Sequence, residues 1–268
     1  MQAIGLCRFS YPALGGFQVE HDSIEARIAY LYDDTRLEER FRLFDTVALP
    51  CLRAQTDADF TLIIVVGDQF PAHHRQRLEQ MIADVPQAII HSEPPRKQRE
   101  VMKQVLNDAR VEPSKPCLQF RYDDDDAIAV DFIAKMRQAA DAAMPLLKQH
   151  RSVALDWNRG YIAEFGAKGI AAAEVYRPFN VAALGMYVKG NSPLTIMNFN
   201  HQKLPQFMPA LSFPDPVMYV RSHNGFNDSR QGFVKGGQVE LRSDEDEEVL
   251  RSRFAIDIQT VRRTFSGA

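Results

Sequence analysis

Apolar and polar positions change period along this chain. Ala3 to Phe9 is a short apolar run that ends in a polar group, Arg8, Ser10 and Tyr11, and reads as a strand followed by a glycine-rich loop. From Arg36 to Arg53, the residues Leu37, Phe41, Phe44, Ala48 and Leu52 recur every three or four positions and mark one face of a helix that Pro50 kinks or shortens. Phe60 to Val66 (FTLIIVV) is continuous and β-branched, as expected of a strand covered on both faces, and stops at Gly67 and Asp68. A helix from about Pro71 to Ala83, a strand over Gln87 to His91, a helix over Lys97 to Ala109 and a strand over Cys117 to Tyr122 follow. Alternating strands and helices predict a mostly parallel α/β sheet flanked by helices.

The pattern then loosens. Asp126 to about Gln149 reads as a further helix, and Val153 to Phe165 as a hairpin punctuated by Asn158, Arg159 and Gly160. Beyond Val181, the runs AALGMYV, SPLTIM and PVMYV read as short strands in a smaller, irregular half. The acidic run Asp244 to Glu248 reads as the start of a surface helix with no chemistry assigned. One domain is expected, with a binding half over 1–126, a second half over 127–240 and a C-terminal surface helix over 241–268.

Composition narrows the class of partner. With 45% apolar and 25% charged residues among 268, the chain can bury a substantial core. A net charge of -3 and a pI near 6.2 give no overall attraction to nucleic acid, so none is expected as a partner. Cys7, Cys51 and Cys117 are isolated within apolar stretches and read as reduced core thiols. No run of about 18 apolar residues is present for a membrane span, and the first residues lack a signal-peptide pattern. A cytoplasmic protein is expected, with peripheral membrane contact left open.

The chemistry concentrates at Asp123, Asp124, Asp125 and Asp126. Four consecutive carboxylates repel one another without counter-charge, so the run calls for a cation or full solvation. Its place at the end of the strand CLQFRY favours a ligand, because open α/β sheets bind ligands beyond the carboxyl ends of their strands. Oxygen ligands suit Mg²⁺ or Mn²⁺, which take one or two carboxylates and leave positions for substrate phosphates. Asp123 and Asp125, two apart, are the metal candidates, and Asp123 and Asp124 are counted among the nucleotide contacts. A helix cap or an incidental calcium loop is the bland alternative. Basic residues around the same strand ends are candidates for an anion: Arg8, Arg121, and Arg96 and Arg99 with Lys97 at the start of a helix.

Three blocks resemble a known family. LPCLRAQTDADFTLIIVVGD (Leu49 to Asp68), FRYDDDDAI (Phe120 to Ile128) and PVMYVRSHNGFNDS (Pro216 to Ser229) are similar to segments of the bacterial rhamnosyl transferases, nucleotide-diphospho-sugar transferases with a GT-A fold. The resemblance implies a GT-A-like sheet and transfer of a sugar, rhamnose or another deoxyhexose, from a nucleotide sugar to a glycan or lipid-linked acceptor, with inversion. It implies nucleoside contact by Asp68, a DxD motif in Asp123 and Asp125, a further metal or phosphate contact by His223 with Asn227 following, and Asp215 as the base. Asp156 and Glu164 rival Asp215 for that role, and His201 is a fainter second histidine. Carboxylate-bound metal facing phosphates equally serves nucleotidyl or phosphoryl transfer, and a non-catalytic sugar-nucleotide binder is the third alternative.

Overall fold

The structure is a computed structural model that describes residues 1–15, 21–224, 240–241 and 244–267. The expected alternation is present in the first half. Strand β1 (Gln2–Arg8) leads through helices α1 (Ile24–Leu31), α2 (Asp34–Leu43) and α3 (Leu49–Arg53) to β2 (Thr61–Gly67). Helix α4 (Ala72–Met81), β3 (Ala88–Glu93), α5 (Gln98–Asp108) and β4 (Cys117–Tyr122) follow. Leu62 through Val66 are all buried, which is why that run carries no alternation.

The helix expected over Arg36 to Arg53 begins earlier, where the Asp33 carboxylate accepts the Arg36 amide at 3.1 Å. Pro50 does not break it. Instead Phe44–Ala48 widen into a π-helical turn that runs directly into α3. Proline has no amide to bond back to residue 46 and its ring crowds that carbonyl, so a wider turn ahead of it relieves the conflict. The turn is tied to the sheet, because Tyr122 at the end of β4 donates its hydroxyl to the Ala48 carbonyl at 2.5 Å.

The second half departs from expectation in three places. The helix predicted from Asp126 begins only at α6 (Phe132–Ala142), after a short strand β5 (Ala127–Ile128), and continues as α7 (Met144–Gln149) with proline in its first turn. The predicted hairpin over Val153 to Phe165 is absent: β6 (Ser152–Trp157) and β7 (Arg159–Gly166) belong to different sheets. Every residue of β6 is buried, so it is an interior strand of the large sheet, and Asn158 is where the chain crosses over. The true hairpin joins β7 to β8 (Gly169–Tyr176), whose sequence GIAAAEVY is too alanine-rich to announce a strand. Strands β9 (Leu184–Val188), β10 (Ala210–Phe213), β11 (Tyr219–Ser222) and β12 (Glu240–Leu241) and helices α8 (Asp244–Phe254) and α9 (Ile258–Phe265) complete the chain. SPLTIM is no strand either. Its end forms a 3₁₀ turn, Ile196–Asn198, closed by a reciprocal cap between Thr195 and Asn198.

The large sheet has the order β10-β6-β9-β4-β1-β2-β3, and only β9 runs against its neighbours. The small sheet, β12-β8-β7-β11-β5, is mixed. From β1 the chain moves to one side to make β2 and β3, then returns to place β4 on the other side of β1. That reversal opens a crevice beyond the carboxyl ends of β1 and β4, the position where such sheets hold ligands. The mostly parallel sheet flanked by helices, with a smaller irregular second half, is the architecture expected above.

Candidate active site

Beyond the ends of β1 and β4 lies a cavity of about 260 Å³, lined from β1 by Arg8 and from β4 by Arg121, with all four aspartates between them and the second half of the chain. The first half also contributes Ser10, whose left-handed backbone (φ 51°) turns the chain sharply at the end of β1. The buried Arg36 holds the Ser10 hydroxyl at 2.8 Å. Gln98 and Arg99 bring the amino end of α5 to the rim, where backbone N–H groups and helix dipole favour an anion.

The aspartates form a tight turn, closed by the Asp126 amide on the Asp123 carbonyl at 3.3 Å. Their counter-charge is built into the protein. Arg40 of α2 forks both guanidinium edges onto the turn, donating from Nε to Asp124 at 3.0 Å, from Nη2 to the same carboxylate, and from Nη1 to Asp125 at 2.9 Å. Asn224 donates to Asp125 as well, at 2.9 Å, and the Ser222 amide donates to Asp126, also at 2.9 Å. These bonds satisfy Asp124 and Asp126, which are almost wholly buried, while the Asp123 side chain keeps 26% of its surface exposed. A buried arginine, and not only metal or solvent, thus offsets the repulsion among the four carboxylates.

The turn holds its charge unevenly. Burial opposes ionisation of Asp123, but Arg8, Arg121, Arg221 and Arg40 outweigh it and hold that carboxyl below the usual range. Burial and the neighbouring Asp125 charge push Asp126 well above the usual range. On the cationic side, burial and the repulsion of Arg8 push Arg121 down to about 10, still cationic at neutral pH. Arg8 lies 3.9 Å from Asp123. Arg99 and Arg121 form no side-chain hydrogen bond or ion pair among the described residues.

The far wall comes from segments that the sequence pattern left loose. The interior side chain of Gln119 on β4 accepts the Ile196 amide at 3.0 Å and so fixes the 3₁₀ turn that carries Met197, Phe199, Asn200 and His201 to the cavity. From β11 comes Arg221, whose guanidinium donates to Asn180 at 2.7 Å and whose pKa is lowered by burial but raised more by Asp126, Asp123 and Asp125. Gln55 of the Gln-Thr block serves the fold and not the cavity. Its amide bridges the Cys51 and Ala129 carbonyls at 3.0 and 2.9 Å and so clamps the segment after the aspartate turn.

The structure gathers Arg8, Arg99, Arg121, Asp123, Asp124, Asp125 and His201 at one cavity and leaves Asp68, Arg96, Asp215, His223, Asp156 and Glu164 outside its lining. Asp68 is exposed at the end of β2, and Arg96 pairs with Glu93 at 2.5 Å. Asp215 is 75% exposed and pairs with Arg159 at 2.6 Å. His223 bonds Glu164 through Nδ1 at 2.9 Å. Asp156 is fully buried and accepts the Ser212 hydroxyl and the Phe179 amide. Asn227 lies outside the described residues. Sequence pattern gives no sign of Arg40 or Arg221, the first because it sits within a charged helix and the second because strand order alone brings β11 here.

A divalent ion fits the donor set at the turn. Asp123 and Asp125 both line the cavity, and Mg²⁺ or Mn²⁺ needs no more than one or two protein carboxylates when phosphate oxygens complete the shell. Among the described residues, the group of three metal-type side chains with mutually close ligand atoms is Asp34, His73 and His74, none of which lines the cavity.

Nothing among curated proteins matches this chain. Among solved structures it is similar to S. aureus TarS 1-349, with 11% identity over 83% of this chain and 60% of that one and a TM-score of 0.42. It is also similar to TarS 1-349 in complex with UDP (11% identity, 83% and 61% covered, TM-score 0.44) and in complex with UDP-GlcNAc (12%, 94% and 65%, TM-score 0.43). The chain thus spans less than two thirds of the TarS chains it matches. The family described as "Putative rhamnosyl transferase" matches residues 2–236, nearly the whole chain, and the protein belongs to that family.

Proposed function

We propose that the protein transfers a sugar, rhamnose or another deoxyhexose, from a nucleoside-diphosphate sugar to a hydroxyl of a glycan or lipid-linked acceptor, with inversion. The observation that carries this reading is the pair of cationic side chains, Arg99 and Arg121, that line the cavity at the mouth of β1 and β4 with no side-chain hydrogen bond or ion pair among the described residues. A diphosphate is the anion that matches them, and membership of the family supports a sugar as its cargo.

Each part of the cavity then has a role. Arg8, Arg99, Arg121 and Arg221 meet the negative charge that grows on the diphosphate as the bond to the sugar breaks, and Asn180 holds Arg221 in place before the reaction begins. Asp123 and Asp125 would hold Mg²⁺ or Mn²⁺, which when bound supplies Lewis-acid contact to the phosphate oxygens. Arg40 and Asn224 fix Asp125 while Asp123 stays open to the cavity, so the turn presents one rigid and one accessible carboxylate. The three cysteines are buried free thiols, which fits a reducing, cytoplasmic setting.

The test is turnover of a panel of UDP- and dTDP-sugars with Mn²⁺ or Mg²⁺ present. Release of nucleoside diphosphate, lost in Asp123→Ala, is expected. Release of pyrophosphate instead assigns the cavity to nucleotidyl transfer, and the absence of any turnover or binding leaves the reading without support.

A further inference from the structure

We propose that His201 is the proton acceptor of this cavity, taking the proton of the attacking hydroxyl on its Nε2. The inference rests on the transfer reading above and names the group that completes it. Its first support is the tautomer. His201 Nδ1 lies 2.5 Å from the Phe179 carbonyl oxygen, and a carbonyl can only accept, so Nδ1 carries the hydrogen and donates it. In the neutral ring, the lone pair is then on Nε2.

The orientation is held from behind. Phe179 has a left-handed backbone (φ 56°), and its amide is fixed at 2.9 Å by the fully buried Asp156. The Asn200 side chain caps the turn that begins at His201 by accepting the Gln202 amide at 3.0 Å. The ring thus lines the cavity with Nδ1 committed to the Phe179 carbonyl, and Nε2 makes no hydrogen bond among the described residues.

Elimination points the same way. Of the carboxylates that line the cavity, Asp124 and Asp125 are held by Arg40, Asp126 is almost wholly buried and accepts the Ser222 amide, and Asp123 faces Arg8 beside the phosphate position. Asp215, Asp156 and Glu164 lie outside the lining. The charged groups that face His201 are Arg121 on β4, Arg221 on β11 and Asp123 on the turn. Burial pushes its pKa down, the Phe179 carbonyl and Asp123 push it up, and the two arginines lower it further, with a net fall that leaves the ring neutral near pH 7. In the step itself, the acceptor O–H bond breaks with its proton going to Nε2, and the oxygen bonds the anomeric carbon. The bond from that carbon to the diphosphate breaks with its electron pair left on the phosphate oxygen, and the imidazolium returns its proton to solvent.

Two measurements test this. Imidazole ¹⁵N NMR of the wild type is expected to place the His201 hydrogen on Nδ1, with titration below the usual histidine value of about 6.5. Turnover of UDP- and dTDP-sugars, with water as the probe nucleophile, is expected to fall by about 10²–10⁴-fold in His201→Gln, with donor affinity unchanged and the acid limb of the pH–rate profile lost. A hydrogen on Nε2, or an intact rate and acid limb in His201→Gln, overturns the assignment of His201 and leaves the transfer reading standing. A wild type that binds no nucleotide sugar overturns both.

Discussion

The two halves of this chain make the same cavity by different means. Residues 2–122 build β1, β2 and β4 from apolar runs that are buried where they stand, with β3 at the exposed edge, and they deliver Arg8, Arg121 and the aspartate turn at strand ends. Residues 127–224 return three strands to the large sheet, place others in a second sheet, and bring Arg221 and His201 to the cavity through long-range pairing. The first half supplies charge that local pattern can locate. The second supplies the wall that gives this charge direction, and its placement depends on partners far away in sequence. The joint between them is the aspartate turn, gripped by Arg40 from one side and by Ser222 and Asn224 from the other.

Breaking that joint has the largest expected effect. Arg40→Met leaves Asp124 and Asp125 buried without their guanidinium, and such uncompensated charge costs about 3–5 kcal/mol. Urea unfolding is the measurement, and the loss should shrink at acidic pH as the carboxyls take protons.

A smaller effect isolates the second half. Burial pushes the Asp156 carboxyl up to about 6, against an ordinary value near 3.8. Between those values the folded state binds the extra proton, so stability from this group is full at the acid end and is lost as pH rises toward 6. The loss is on the order of 2–3 kcal/mol. Asp156→Asn should flatten the difference in stability between pH 4 and 7 relative to wild type. An unchanged difference would place the charge of Asp156 outside the folding balance.

Both sheets use one device, which allows the halves to be compared directly. Gly5 on β1 faces the ring of Phe120 on β4, and Gly160 on β7 faces the ring of Tyr219 on β11. A Cβ at either glycine would lie 2.3 or 2.4 Å from that ring. Gly5→Ala and Gly160→Ala should each cost about 1–3 kcal/mol in thermal or denaturant unfolding. Only Gly5→Ala also shifts the strand that carries Arg8, so it should weaken nucleotide binding more than Gly160→Ala does.

The smallest effect belongs to the exposed pair of Arg159 and Asp215. Asp215→Ala should cost under about 1 kcal/mol and leave nucleotide-sugar turnover near wild type, because the carboxylate lies outside the cavity lining. A loss of turnover as deep as that of Asp123→Ala would return the proton-acceptor role to Asp215.

What was legible in sequence follows the same division. The strand CLQFRY is buried and local, so pattern alone places its end, with the four aspartates, at the carboxyl end of a central strand. Strand-end position does not say which crevice opens. Asp68 and Arg96 follow β2 and β3, whereas the reversal of strand order lies between β1 and β4, which leaves those two outside the lining. Strand order is a property of pairing and is not written in local periodicity. Arg40 is hidden for a different reason: on a helix dense in arginine and glutamate, nothing marks Arg36 and Arg40 as the arginines that turn inward. The hairpin misread at Asn158 came from punctuation that signals a change of direction equally well for a crossover between sheets.

The most direct test of the account is calorimetric titration of UDP, dTDP and their sugars into the wild type and into Arg121→Ala, with and without Mn²⁺. The account predicts binding of a nucleoside diphosphate or its sugar by the wild type and a loss of about 10–100-fold in Arg121→Ala, the worth of hydrogen bonds to a charged group. No binding by the wild type, or equal binding by both proteins, would contradict it.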